Sequence, residues 1–179
     1  ADLSTLNLIF SREDYLAPVG SKVVLDIGAN IGLSALYFLS RNPDIHVYAY
    51  EPAPPTFTKL ADNLAPFEQR VSLKSAAVSD FKGSAMLGLE ESGVYSAIDR
   101  PASEQVEVEC LHIMDVLEEI LSQHERIDIL KLDCEGHEGR ILQAIDDSMW
   151  SRIGCINVDA VFDCPEVKEF VPSNYRLSQ

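Results

Sequence analysis

Positive charge is scarce in this chain. Fourteen Lys and Arg stand against 29 Asp and Glu, a formal net charge of −15, and no basic stripe offsets it. That balance excludes a general nucleic-acid binder, whose affinity comes from cations neutralising phosphates. Cysteine is scarce as well. Cys110, Cys134, Cys155 and Cys164 form no C-x-x-C pair and no zinc spacing. The expectation is buried free thiols in a reducing, cytoplasmic setting. Long apolar runs are missing too, so no membrane span is expected, and no signal peptide is visible. The chain does not begin with methionine, which leaves room for residues ahead of Ala1.

What is present is ordinary globular material: 46% hydrophobic and 24% charged residues over a length of 179. That suits one domain with a sizeable core. The whole chain, 1–179, reads as a single unit with a lead-in segment (1–20), an inserted β-hairpin (81–110) and a short C-terminal part (163–179). No internal repeat or low-complexity tract divides it.

The organising stretch is Val23 to Gly32, VVLDIGANIG. A short apolar run ends in an acid and breaks into a turn of small residues. Amphipathic spacing follows, so the order is strand, tight turn, helix. In an open α/β sheet such a turn lies at the carboxyl end of a strand, where ligands bind. Gly28 and Gly32 would leave space for a close-lying ligand, and Asp26 would offer it a charged acceptor. The dinucleotide fingerprint G-x-G-x-x-G is absent, because the turn is G-x-N-x-G. An acid at this point opposes a pyrophosphate and suits an ammonium or sulfonium.

In chain order, a lead-in helix is expected over 11–17, then a strand over 22–27 and a helix over 31–41. A second strand, 46–50, closes on Glu51, placed to take both hydroxyls of a ribose. Pro54 and Pro55 open a helix to residue 64. A third strand, 71–75, leads into Ala76 and Ala77, small enough to admit a flat adenine ring. Segments 84–89 and 105–110 alternate as the two arms of the hairpin, with Tyr95 and Ser96 in its connection. A core-facing helix follows over 112–122. The second informative stretch is Ile127 to Gly139, IDILKLDCEGHEG. It predicts a buried strand with Asp133, Glu135 and His137 at its tip, and then a helix over 138–145. Lys131 inside that strand is expected to pair with Asp133 or a helix carboxylate. A fifth strand (154–161), a short helix (165–171) and a terminal strand (175–178) complete an α/β, doubly wound, Rossmann-like sheet, mostly parallel and flanked by helices.

The D-x-G-x-N-x-G turn resembles motif I of the class I S-adenosylmethionine-dependent methyltransferases. With both stretches in hand, the chain resembles the FkbM methyltransferase family more particularly. The V-x-D-x-G-A-N-I-G opening stands at Val24 to Gly32, and I-D-x-x-K-x-D-x-E-G-x-E runs from Ile127 to Glu138. The Tyr50-Glu51-Pro52 step and Ala77 to Asp80 fit as well, so the likeness covers about 20–145. It implies that Asp26, Gly28, Asn30 and Gly32 line the methionine end of S-adenosyl-L-methionine. Glu51 would hold the ribose, and the Ala76–Ala77 turn the adenine. Asp133 and Glu135 would face the sulfonium and the acceptor. Two departures stand out: His137 replaces the family's usual small residue, and the C-terminal part leaves little room for an antiparallel seventh strand. The domain is therefore either truncated or completed at its sheet edge by a partner.

Methyl transfer needs alignment and, for an alcohol, a base. Glu135 or Asp133 is expected to orient acceptor or cofactor, with His137 as base. The resemblance implies O-methylation of a hydroxyl on a small molecule or glycan. The alternatives are a nicotinamide-dependent oxidoreductase and a non-catalytic adenosyl-binding module. A divalent ion held by Asp133, Glu135, His137 and Asp159 or Asp163 lacks recognisable ligand spacing, so no metal is expected.

Overall fold

The computed structural model describes residues 9–10, 15–89, 97–98, 102, 104–134, 136–158 and 177–178. Strand β1 (Val23–Ile27) is buried at every position, as a central strand covered on both faces must be. It pairs in parallel with β2 (His46–Tyr50), which pairs in turn with β3 (Val71–Lys74). The connections are α1 (Leu33–Arg41) and α2 (Pro54–Leu64). The prolines at the head of α2 forfeit no bond, because first-turn amides have no partner inside a helix. A 3₁₀ stretch, Ala65–Arg70, for which the sequence pattern gives no signal, follows α2.

The side of each strand residue follows from its parity. Val23, Leu25 and Ile27 belong to one core, with Ile113, Val116, Leu117 and Ile120. Val24 belongs to the other, with Ala35, Phe38, Leu60 and Leu64. Asp26 therefore lies on the side of α1 and α2. This alternation decides the chemistry described below.

A second sheet departs from the expected simple hairpin. Ala77–Ser79, expected only as the lead-out of the third strand, is β4. It pairs in parallel with β7 (Glu104–His112), and β7 pairs antiparallel with β5 (Gly83–Leu89). Strand β6 (Ala97–Ile98) extends the far edge. Three residues are too few for alternation to reveal β4.

Helix α3 (Ile113–Leu121) leads to β8 (Ile127–Leu132), which joins β1 in parallel. Helix α4 (Glu138–Gln143) is shorter than predicted. A further turn of helix, α5 (Asp147–Trp150), stands where the sequence predicts only an approach to the next strand. Strands β9 (Ile153–Val158) and β10 (Leu177–Ser178) complete a six-stranded parallel sheet in the order β10-β9-β8-β1-β2-β3. The rest of the predicted fifth strand and the 165–171 helix lie outside the described residues.

The lead-in helix is not found at 15–17, and 11–14 lie outside the described residues. The amide of Leu16 instead donates to Oδ1 of Asn157 at 2.8 Å, and Nδ2 of Asn157 donates back to its carbonyl at 3.0 Å. That side-chain bridge ties the lead-in to β9. Cys110 and Cys155 are buried and Cys134 is half-buried. Among the described residues no helix is long and apolar enough to cross a membrane.

Candidate active site

Backbone bonds anchor the turn after β1 to the neighbouring strands. The amides of Gly28 and Ala29 both donate to the carbonyl of Tyr50 at 3.0 Å, and the amide of Asp133 donates to that of Ile27 at 3.1 Å. Tips of β1, β2 and β8 are thereby locked together. Gly28 (φ +75°), Asn30 (φ +50°) and Gly32 (φ +92°) all take left-handed backbone. Packing within the fold adds a second reason for glycine. A Cβ on Gly28 would lie 1.9 Å from the carbonyl oxygen of Asp133, and one on Gly32 2.9 Å from Leu60. Close packing against backbone excludes a side chain at Gly28, whereas at Gly32 the Leu60 side chain would have to shift.

Beneath the turn lies a buried charge cluster. Strand register sets Asp26 opposite Lys131, so both point to the α1 side. Lys131 Nζ lies 3.1 Å from Asp26 Oδ1 and 3.5 Å from Asp133 Oδ2, and it donates to the Gly28 carbonyl at 2.6 Å. Ser34 donates to the other Asp26 oxygen at 2.6 Å. Asp26 is 0% exposed and Lys131 1%. Burial alone would lower the Lys131 pKa, but Asp26 and then Asp133 hold the ammonium well above the usual lysine range. The expected partner Asp133 is present, yet the shorter contact is to Asp26. Sequence offers no sign of that, because the two residues are far apart in the chain and meet only through strand register.

Glu51 closes β2 as predicted, and it is nearly buried. One carboxylate oxygen accepts from the Asn30 amide at 3.0 Å and the other from the Ala53 amide at 2.9 Å. Burial pushes its pKa up, against these two bonds, which pull it down. A carboxylate has about four acceptor sites; two remain for a ligand.

A cleft of about 360 Å³, its open mouth included, lies at the carboxyl ends of the parallel strands. Gly28, Tyr50 and Pro52 line it together with Ala76, Ala77 and Val78. Leu87 and Ile98 of the second sheet close it, with Cys134 and His137 at the tip of β8. Of the predicted site residues, Gly28, Ala76, Ala77 and His137 line this cleft. Asp26 lies buried under the turn, Asn30 and Gly32 belong to the turn itself, and Asp133 sits partly exposed at the β8 tip beside Lys131. Glu135, Tyr95, Ser96, Asp159 and Asp163 lie outside the described residues. Among the described residues no group of three or more His, Cys, Asp or Glu is gathered to hold a metal.

Glu138 belongs to the second motif, but sequence alone assigns it no task. Its carboxylate accepts from the amides of Cys134 at 2.6 Å and Gly136 at 3.0 Å, shaping the loop that carries His137. Arg140 then reaches Asp80 with two bonds of 3.2 and 3.0 Å, linking the start of α4 to the end of β4. Replacing Glu138 with Ala should leave two amides without their charged acceptor, each bond contributing about 1.5–3 kcal/mol. Amide exchange at Cys134 and Gly136 should accelerate at least tenfold, and unchanged protection would show that Glu138 does not hold the loop.

Sheet order and the turn after β1 together define a Rossmann-like α/β domain with its cleft at the carboxyl ends of the strands. Within that class it belongs to the FkbM family: the model for the methyltransferase FkbM domain matches residues 26–170. A 30% identity links it to AMB antimetabolite synthetase AmbE of Pseudomonas aeruginosa, over 81% of this chain and 8% of that protein. It is 29% identical to 31-O-demethyl-FK506 methyltransferase FkbM of Streptomyces tacrolimicus, over 73% of this chain and 62% of the relative. The chain thus spans less than two thirds of either. The crystal structure of methyltransferase FkbM from Methylobacillus flagellatus shares the fold, with a TM-score of 0.54 at 16% identity, over 78% of this chain and 32% of that one.

Proposed function

We propose that this chain binds S-adenosylmethionine and transfers its methyl group to a hydroxyl of a small molecule or glycan. The observation that carries this reading is a buried acid, Glu51, with spare acceptor capacity at the strand tip, between Tyr50 and Pro52 of the apolar cleft. The residues fit the group. Glu51 would take the ribose hydroxyls, and Ala76, Ala77 and Pro52 would flank the base. The positive-φ turn would meet the methionine end, over a cluster in which Asp26 and Asp133 outnumber Lys131 and so favour a cation. When bound, the cofactor supplies an electrophilic methyl carried on sulfur. The chain's own part is to hold and align. Asp133, the partly exposed carboxylate at the β8 tip, orients the acceptor hydroxyl and takes its proton. The hydroxyl preference rests on the likeness to the Streptomyces relative, whose name makes it an O-methyltransferase.

Calorimetry with S-adenosylhomocysteine, set against NAD, tests the reading, followed by methyl transfer to a panel of hydroxyl compounds. Binding of the thioether and not of NAD is expected, whereas preference for NAD would overturn it. Glu51→Gln should weaken thioether binding about tenfold or more, since a charge-assisted bond is worth about 1.5–3 kcal/mol. The sign of the pH effect follows from the raised pKa of Glu51. Protonation removes acceptor capacity, so wild-type affinity should fall as pH drops, starting above the ordinary glutamate range. In Glu51→Gln that acid limb should be flat.

A further inference from the structure

His137 heads α4, yet its side chain caps nothing. It is 9% exposed, and its buried Nδ1 has no hydrogen-bond partner among the described residues. A buried polar atom without a partner carries a full desolvation penalty, so such an atom in a cleft marks a ligand contact. What surrounds it narrows the ligand. Among the described residues the cleft side chains are hydrocarbon apart from the Tyr50 phenol and the Cys134 thiol, and His137 alone supplies a nitrogen. Its companions there include Pro52, Ala76, Ala77 and Val78, apolar side chains that suit the faces of a flat ring. A purine between them would satisfy its faces by contact and leave its polar edge to be met. Hydrocarbon cannot meet it.

Resting on the cofactor reading above, we propose that His137 is a specificity-determining residue for the nucleobase, its Nδ1 accepting a hydrogen bond from the adenine 6-amino group. Sequence alone offers His137 as a base, but a group facing the purine walls recognises the cofactor.

Binding alone tests this, with S-adenosylhomocysteine and its analogue lacking the 6-amino group as probes. Wild type should bind the intact thioether roughly tenfold more tightly than the analogue. His137→Ala should lose about that factor on the intact thioether and bind both probes equally. His137→Asn, which keeps an acceptor, should recover part of the preference. The wild-type comparison stands even if a variant folds poorly. Wild-type binding without discrimination overturns the inference and leaves the cofactor reading in place. So does His137→Ala that binds and discriminates like wild type while losing turnover, which would return His137 to the base role. No binding of the intact thioether by wild type removes both.

Discussion

Lys131→Met should destabilise the fold by about 3–5 kcal/mol, the loss typical when one partner of a buried ion pair is removed. The variant strands the carboxylate of Asp26, which is 0% exposed and keeps only Ser34 as a donor. It also removes the donor that holds the Gly28 carbonyl. Urea denaturation at neutral pH measures the change. The companion test is Asp26→Leu combined with Lys131→Met. Replacing a buried pair by hydrocarbon is often neutral or stabilising, so the double variant should recover most of the loss. It should nevertheless bind S-adenosylhomocysteine more weakly, because the Lys131 donor that holds the Gly28 carbonyl of the turn is gone. If the single variant loses less than about 1 kcal/mol, the range of an exposed pair, the pair does not organise the strand tips.

Gly28→Ala should be nearly as severe and should separate two causes. Left-handed backbone costs an ordinary residue about 1–2 kcal/mol. Overpacking adds about 1–3 kcal/mol, since the new methyl would meet the Asp133 carbonyl at 1.9 Å. Gly20 has φ +88°, and a methyl added there would find nothing within 4 Å. Gly20→Ala therefore reports the dihedral cost alone, and the difference between the two variants measures the close approach. Displacing Asp133 should also abolish thioether binding in Gly28→Ala. Equal losses in the two variants would mean that β1 and β8 separate freely.

Much of this was legible in the sequence. Strand β2 falls at 46–50 and β8 at 127–132, as predicted, because apolar runs bounded by acids and turn residues leave little freedom. Both long motifs lie at carboxyl ends of neighbouring strands, where the α/β rule sends ligands. Less was legible wherever a residue's task depends on a distant partner. Glu138 reads as the start of a helix, and only the folded loop shows it collecting the amides of Cys134 and Gly136. Leu87 and Ile98 read as hairpin residues, and only the second sheet brings them to the cleft. His137 reads as an acid–base candidate, and only its apolar neighbours point to another use.

By itself the sequence determined that the chain is an α/β domain with a turn after its first strand and an acid at the end of its second. Those features are local, written in periodicity and in residues whose backbone preferences act within a few positions. Tertiary structure alone decided that Asp26 meets Lys131, that the glycines yield to a carbonyl and to leucines, and that one imidazole nitrogen is left in an apolar cleft. Register between strands and the packing of one sheet against another set those meetings, and neither is encoded in spacing along the chain.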